Sequence, residues 1–204
     1  MFLKLELIKD IILPDEITYI GFNCFDSNSH LSNIQLSSSL KFIRCSSFQN
    51  LPALRKIILP NSLLFIDQDC FNKIKSLTSI VFSTSLESIQ NNCFNYLNNL
   101  QEIIVPENVS TIGYYCFNNC LETTKIELPS TLSSIGSYCF QFCKQLEEII
   151  IPKNVTSIGN NCFCNCKKLS KIEFLNGNIS IGKNCFDNCE SLKEDGIIKH
   201  FDEN

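Results

Sequence analysis

The sequence is short of residue types that many catalytic sites use. It contains no tryptophan, one methionine and two histidines, His30 and His200, among 204 residues. Neither histidine keeps phase with a candidate exposed thiol, so nothing indicates a Cys–His nucleophile. The seven glycines stand apart from one another, and no glycine-rich phosphate loop occurs. We therefore expect no catalytic residue, no cofactor and no enzyme activity.

Basic charge and long apolar runs are missing as well. The net charge is -4, whereas nucleic-acid binders usually carry a basic surplus, so we expect no nucleic-acid partner. No run of about 18 apolar residues exists, which argues against membrane insertion. Charges such as Lys4 and Glu6 interrupt the first residues, which lack the apolar stretch of a secretory signal. With thirteen cysteines, an odd number, this indicates a reduced, cytoplasmic protein.

What the sequence does contain is a strict internal repeat of 23 residues. Two isoleucine rows keep this period, one beginning at Ile11 and the other at Ile20. A Cys-Phe pair keeps it too, at Cys24-Phe25, Cys70-Phe71, Cys93-Phe94, Cys116-Phe117, Cys139-Phe140, Cys162-Phe163 and Cys185-Phe186, with Ser47-Phe48 in the remaining repeat. Self-similarity at this interval predicts a solenoid in which stacked coils share one core.

The residues within one repeat predict how a coil is built. Leu54-x-x-Ile57-x-Leu59 alternates inward and outward positions as a short strand does, and Pro60 then ends the strand. An Ile-Gly pair is expected to end a second extended piece, where glycine tolerates the bend. Cys-Phe-x-x-Cys is too short for a full helix and predicts one helical or 3-10 turn.

The repeat resembles a known family. The segment Leu146-x-x-Ile149-x-Ile151-Pro152-x-x-Val155-x-x-Ile158-Gly159-x-x-Cys162-Phe163-x-x-Cys166 is similar to the BspA-like (Treponema-type) leucine-rich repeat, with cysteine where that family often has alanine. The resemblance covers residues 8 to about 192. It implies a curved β-rich solenoid of 23-residue coils, with a parallel sheet on the concave side and short strands and helical or 3-10 turns on the convex side. It also implies a binding or adhesion module.

We expect residues 1–204 to form a single leucine-rich-repeat solenoid of about eight repeats. Asp195 occupies a position that is isoleucine in the other repeats, so the strand ladder is expected to have ended before it. The polar tail, residues 195–204, is then expected to cap the last coil or to fray.

The stretch NCFCNC, residues 161–166, has the cysteine density of a zinc or redox site. The repeat favours another interpretation, because Ser47 replaces the first cysteine and Leu97 the second in other coils. Leucine cannot ligate a metal but can fill a core, as buried cysteine does. Stacking spreads the thiols along one axis at about 4.8 Å, which suits neither a tetrahedral ion nor an unstrained disulfide. We predict buried structural thiols and no metal site; a metal site and disulfide or redox use are the alternatives.

Two cysteines lie outside the repeat phase. Cys164 is placed between two core positions and is predicted to face solvent, and Cys45 is out of phase too. If any thiol is reactive, Cys164 is the first candidate.

The outward positions of the first strand give the best indication of function. The central outward row is rich in isoleucine and valine: Ile12, Gln35, Ile58, Val81, Ile104, Glu127, Ile150, Glu173. The outward row two residues earlier is mostly charged or polar: Asp10, Asn33, Lys56, Ser79, Glu102, Lys125, Glu148, Lys171. Exposed apolar surface flanked by charge suits a protein partner, although the high strand propensity of isoleucine explains the row equally well.

We therefore predict a non-enzymatic interaction module that binds a protein partner through its concave face. The predicted partner-binding residues are Ile58, Val81, Ile104, Glu127, Ile150, Lys56, Lys125 and Glu148. The alternative is a cell-surface adhesin or antigen, which the resemblance to the BspA-like family suggests.

Overall fold

The computed structural model describes residues 8–200, in which each of eight coils contributes two short strands. The first strand of each coil has three or four residues: β1 Asp10–Ile12, β3 Asn33–Gln35, β5 Lys56–Ile58, β7 Ser79–Val81, β9 Glu102–Ile104, β11 Lys125–Glu127, β13 Glu148–Ile151 and β15 Lys171–Phe174. The second strand has two residues: β2 Tyr19–Ile20, β4 Phe42–Ile43, β6 Phe65–Ile66, β8 Ser88–Ile89, β10 Thr111–Ile112, β12 Ser134–Ile135, β14 Ser157–Ile158 and β16 Ser180–Ile181. A 3-10 helix, Glu194–Gly196, and strand β17, Ile197–Lys199, follow.

All strand pairs are parallel and join equivalent positions of neighbouring coils. In the eight coils the register is offset by one repeat, as in the pair Ile11 and Ile34. The second strands form a three-stranded sheet, β2-β4-β6, and a five-stranded sheet, β8-β10-β12-β14-β16. This arrangement confirms the predicted solenoid, because only stacked identical coils place residues 23 apart side by side.

The phenylalanines of the Cys-Phe pairs form one continuous stack through the core. Eight rings from Phe25 to Phe186 lie parallel, with centroid distances from 5.0 Å to 5.8 Å. Phe82 meets the stack from the first strand in an edge-to-face contact with Phe94 at 5.1 Å. Burying each ring stabilises the fold by roughly 1.5–3 kcal/mol. The six rings from Phe48 to Phe163 are fully buried, as expected for stacked coils that share one core.

The third side of each coil is made of β-turns in place of the helical turn that the sequence predicts. In coil 7 the Cys164 N–H donates to the Asn161 carbonyl (3.2 Å), and the Phe163 N–H donates to the Cys185 carbonyl of the next coil (2.9 Å). Asn161 and Asn165 have left-handed φ values of 55° and 64°, which a helical turn does not contain. All sixteen positive-φ residues of the described range lie at these two turn positions, two per coil.

The glycines after the second strands serve close coil packing. These glycines lie between the second strand and the following turn, as predicted, but no glycine in the described range has a positive φ, so the bend itself does not require glycine. A Cβ on Gly159 would lie 2.3 Å from the backbone nitrogen of Ser137, and one on Gly136 would lie 2.5 Å from the Gly113 carbonyl carbon. Glycine is therefore required where one coil presses directly on the preceding backbone.

The ladder continues beyond the point at which the sequence predicts its end. Strand β17 pairs with β15, and Ile197 lies opposite Ile172. The offset here is 25 residues, because the 3-10 helix Glu194–Gly196 inserts two extra residues that shift Asp195 out of the strand position. A ninth strand thus covers the edge of the concave sheet, and the predicted end of the ladder before Asp195 is wrong.

Candidate functional site: the concave sheet

The central outward row of the first strands is exposed to solvent. The apolar members of this row, Ile12, Ile58, Val81, Ile104 and Ile150, are between 47% and 74% exposed. Their neighbours in the same strands, such as Ile57 and Ile103, are buried, as the alternation of side chains in a strand requires. The predicted orientation is therefore confirmed, while partner binding by these residues stays a prediction.

This surface repeats every two coils, although the core repeats every coil. Isoleucine occupies the central row in the odd-numbered coils, and Gln35, Val81, Glu127 and Glu173 occupy it in the even-numbered coils. The backbone pairing alternates in the same way, since the strands of the eight coils join as β1-β3, β5-β7, β9-β11 and β13-β15 within residues 8–200.

Hydroxyl groups strengthen the same two-coil units. Thr78 Oγ1 donates to the Arg55 carbonyl at 3.1 Å, and Thr124 Oγ1 donates to the Gln101 carbonyl at 3.4 Å. Ser32 and Ser170 make the equivalent bond in the first and last units. The structural unit of the concave sheet is therefore 46 residues long, and its isoleucines recur about 9.6 Å apart, twice the spacing of neighbouring strands.

The isoleucine ridges bound two grooves on the concave sheet. One groove, of about 750 Å³, lies between Ile104 and Ile150 with Glu127 in its lining. The other, of about 650 Å³, lies between Ile12 and Ile58 with Gln35 in its lining. In both, the even-numbered coil between the two isoleucines contributes a polar side chain to the lining.

The groove between Ile104 and Ile150 combines apolar walls with charge. Lys125 Nζ lies 2.6 Å from Glu127 Oε1, and Glu148 also lines the groove. The hydrogen bond and negative charge of Glu127, with a smaller contribution from Glu102, raise the pKa of the Lys125 ammonium. The groove therefore offers an ammonium held by one carboxylate beside a second carboxylate.

The structure brings together most of the residues that the sequence predicts for partner binding. Five of them, Ile104, Glu127, Ile150, Lys125 and Glu148, line the groove between Ile104 and Ile150. Lys56 and Ile58 line the other groove, whereas Val81 lines neither. The sequence prediction missed Ile12 and Gln35. The alternation of isoleucine between odd and even coils was the signal that would have found them.

The cysteines lie mainly in the core, away from the concave surface. All thirteen are free thiols, and eleven are buried. Cys164 is 7% exposed, so the prediction that it faces solvent is wrong. Cys164 lies at a turn position that Asn95 and Asn118 occupy in coils 4 and 5, and both of those residues are buried as well. Adjacent coils cover this position. Cys24 and Cys45 are partly exposed.

Burial disfavours the thiolate form of several core cysteines. Burial raises the pKa of Cys116, Cys139 and Cys162 well above the usual range, and raises that of Cys120 to about 12. The thiols also act as donors, as in the 3.2 Å contact from Cys166 Sγ to the Phe140 carbonyl. Within residues 8–200 no three His, Cys, Asp or Glu side chains are grouped as metal ligands. The same range holds no helix with the length and apolar character of a membrane span.

The fold and its exposed concave sheet define a leucine-rich-repeat solenoid, and comparison with known proteins identifies the family. The chain belongs to the BspA type leucine rich repeat region family, whose model matches residues 1–122 and 65–193 with six copies. No curated protein sequence matches the chain.

Several solved structures share the fold. A leucine-rich repeat protein from Bacteroides ovatus is 26% identical, with a TM-score of 0.77, and the match covers 95% of this chain and 56% of that one. The T. pallidum leucine rich repeat protein is 22% identical, with a TM-score of 0.72 and coverage of 92% and 85%. The pneumococcal vaccine antigen PcpA is 23% identical, with a TM-score of 0.57 and coverage of 97% and 58%. The chain thus spans little more than half of the Bacteroides ovatus protein.

Proposed function

We propose that the chain is a non-enzymatic interaction module that binds a protein partner through the concave sheet. The observation that carries this proposal is the row of isoleucines exposed on a rigid sheet whose neighbouring inward positions are buried. A core role cannot account for these side chains, because their side of the strand faces solvent. Contiguous exposed apolar surface of this kind is typical of interaction sites.

The centre of the proposed interface is the groove between Ile104 and Ile150. Its isoleucines would supply the desolvated apolar contact, and its charged rim, Lys125, Glu127 and Glu148, would orient the partner. Eight first strands spaced about 4.8 Å apart make a sheet about 34 Å long but only three or four residues wide. This shape favours a partner segment that lies along the solenoid axis and crosses several ridges.

A second candidate function is that of a surface antigen or adhesin. It is supported by the similarity to PcpA, which is a vaccine antigen, and to a leucine rich cell surface protein of Faecalibacterium prausnitzii (20% identical, TM-score 0.60, coverage of 98% and 61%). The cytoplasmic location expected from the sequence stays a prediction. Antibody staining of unpermeabilised cells separates the two, since staining of intact cells supports the surface role.

Single aspartate substitutions at Ile58, Val81, Ile104 and Ile150 test the concave-face proposal. Leu64→Asp is the matched control, because Leu64 is 47% exposed but lies outside the first strands. Affinity capture from native lysate should recover a partner with wild type and the control. Recovery should fall at least tenfold with Ile104→Asp and Ile150→Asp, the two ridges of the central groove. Equal recovery with all five variants would refute binding through the concave face.

A further inference from the structure

The turn side of the solenoid carries an aromatic cluster at unusual backbone positions. Nine of the sixteen left-handed turn residues are Asn or Asp, which tolerate that conformation well. Four are aromatic, Tyr96, Tyr115, Tyr138 and Phe142, with φ between 54° and 63°, and all four lie in coils 4 to 6. A bulky side chain is unfavourable in this conformation, and such residues concentrate at functional sites.

Three of these aromatic residues border one cavity, which we call the tyrosine cavity. It has a volume of about 340 Å³, within the range of small-molecule sites. Tyr96, Tyr115 and Phe142 border it, and the Tyr115 ring stacks on Tyr138 at 4.5 Å with an interplanar angle of 3°. Tyr96 and Tyr115 are 39% and 37% exposed, so both rings are accessible to a ligand.

The rest of the cavity is lined by neutral amides. Asn118 Nδ2 donates to Gln141 Oε1 at 2.8 Å, which fixes one pair of side chains. Asn95, which is 8% exposed, also lines the cavity, and its side-chain oxygen accepts no hydrogen bond within the described structure. A buried amide without its full set of partners costs free energy. No charged residue is among the side chains that line the cavity in the described range.

This chemistry restricts the class of ligand. An anion or cation would enter the cavity without a counter-charge, and a purely apolar ligand would remove the partly exposed amides of Asn92, Asn119 and Gln141 from water without hydrogen-bonding to them. A neutral polyol satisfies both conditions, because its hydroxyls donate and accept as amides do. The apolar C–H face of a pyranose ring can, in addition, pack flat on an aromatic ring.

We propose that the tyrosine cavity binds a neutral hexose unit of an oligosaccharide. Tyr96, Tyr115 and Phe142 provide apolar packing surfaces, and the partly exposed amides of Asn92, Asn119 and Gln141 pair with ring hydroxyls. The site is separate from the concave sheet, since none of its residues belongs to a first strand. A proline-rich peptide also docks on tyrosine-lined grooves, so the experiment includes one.

The absence of tryptophan supplies a direct assay. Intrinsic fluorescence comes from five tyrosines. Tyr96 and Tyr115 line the cavity, and Tyr138 stacks on the Tyr115 ring. The full chain is titrated with four neutral tetrasaccharides, namely maltotetraose, cellotetraose, laminaritetraose and mannotetraose, and with charged tetragalacturonate and decaproline. We expect a saturable change in tyrosine fluorescence with at least one neutral tetrasaccharide and none with tetragalacturonate or decaproline.

Matched variants test whether the saccharide binds in the tyrosine cavity. Phe142→Asn keeps every tyrosine and inserts the residue that coils 5 and 7 have at the equivalent positions, Asn119 and Asn165, so the fold is preserved. It should weaken saccharide binding at least tenfold, as should Tyr115→Asn measured by calorimetry. Tyr114→Asn is the control, because Tyr114 is 57% exposed but does not line the cavity.

Three results would overturn the proposal. These are no saturable signal with any neutral tetrasaccharide up to about 10 mM, above the weak millimolar range; binding of decaproline in place of the sugars; or saccharide binding that Phe142→Asn and Tyr115→Asn leave unchanged. Ile104→Asp should not alter saccharide binding, so failure of this site and failure of the concave interface are distinguished.

Discussion

Coils 2 to 4 and coils 5 to 8 build the same coil from different residues. After the second strand, coils 2 to 4 carry the large side chains of Arg44, Asp67 and Gln90, whereas coils 5 to 8 carry Gly113, Gly136, Gly159 and Gly182. At the second thiol position, coils 2 to 4 have Leu51, Ile74 and Leu97, whereas coils 5 to 8 have Cys120, Cys143, Cys166 and Cys189. The Phe stack runs unbroken through both groups.

The difference shows that both groups of coils keep the stack of phenylalanines. The position after the second strand and the second thiol position can be filled by different residues without changing the coil. In coils 5 to 8 the small glycines let each backbone press on the preceding one, and their four second strands join that of coil 4 in a five-stranded sheet. Their thiols bond back to the preceding coil, as in the 3.2 Å contact from Cys189 Sγ to the Phe163 carbonyl. Coils 2 to 4 use ordinary aliphatic packing at that position. The second group therefore depends on small side chains and on protonated thiols.

Unfolding in mild alkali is the largest effect that we expect, because coils 5 to 8 carry at least two buried thiols each, whereas coils 2 to 4 carry at most one. Burial raises the pKa of five fully buried thiols, four of them in coils 5 to 7: Cys93, Cys116, Cys120, Cys139 and Cys162. Unfolded cysteine titrates near pH 8.5, so above that pH the unfolded chain binds fewer protons and stability falls as pH rises. Five thiols together contribute a loss of about 7 kcal/mol per pH unit, comparable with a typical total stability of about 5–15 kcal/mol. Far-UV circular dichroism under reducing conditions should show cooperative unfolding between about pH 9 and 10.5.

A single substitution tests whether the thiols cause this transition. Cys120→Leu inserts the residue type that coils 2 and 4 have at this position, Leu51 and Leu97, and removes a group whose pKa burial raises to about 12. The midpoint of alkaline unfolding should move to higher pH, while stability at pH 7 changes little. A wild-type spectrum that stays unchanged up to about pH 11 would contradict this prediction, because thiols with raised pKa values must lose stability relative to an unfolded chain that ionises.

The substitution Phe117→Ala should give the next largest effect. Phe117 is fully buried between Phe94 and Phe140, with centroid distances of 5.5 Å and 5.7 Å, and stands where the two groups of coils meet. Removing the ring interrupts a core stack that runs through both groups, and we expect a loss of about 3–5 kcal/mol in urea unfolding. A loss below about 1 kcal/mol would contradict the central role of the stack.

The sequence was sufficient to predict the solenoid, because the 23-residue period fixes which residues face inward. The alternation of side chains along a strand predicted the exposed isoleucine row. The burial of the thiols was predicted because Ser47 and Leu97 replace cysteine at equivalent positions of other coils. The burial of Cys164 did not follow, since it depends on how neighbouring turns cover one another.

Other features needed the distances between coils. The glycines were interpreted as bends, whereas their role is close approach, which only the spacing of stacked backbones reveals. The two-coil period of the concave sheet and the aromatic residues at left-handed positions were present in the sequence. The 23-residue period is the stronger pattern in the sequence and hides both features. That period describes only the core positions, which repeat in every coil.

A pair of glycine substitutions gives the smallest expected effect and the sharpest test of the packing difference. The two glycines, Gly159 and Gly21, each follow a second strand. Neither has a positive φ, so alanine is compatible with the backbone at each position. A Cβ on Gly159 would meet Ser137 backbone atoms at 2.3 Å and 2.6 Å, which forces the two coils apart. Gly159→Ala should therefore cost about 1–3 kcal/mol in urea unfolding.

Gly21→Ala is the matched control for this substitution. A Cβ on Gly21 has its nearest neighbour, Cys24 Sγ, at 3.6 Å, because no coil within residues 8–200 precedes it. Alanine there restricts the unfolded chain and should leave stability unchanged or raise it by about 0.4–1 kcal/mol. If both variants lose the same stability, close coil contact is not what selects glycine in coils 5 to 8. If only Gly159→Ala loses stability, the tight packing of those coils is the reason that they cannot carry the large side chains found in coils 2 to 4.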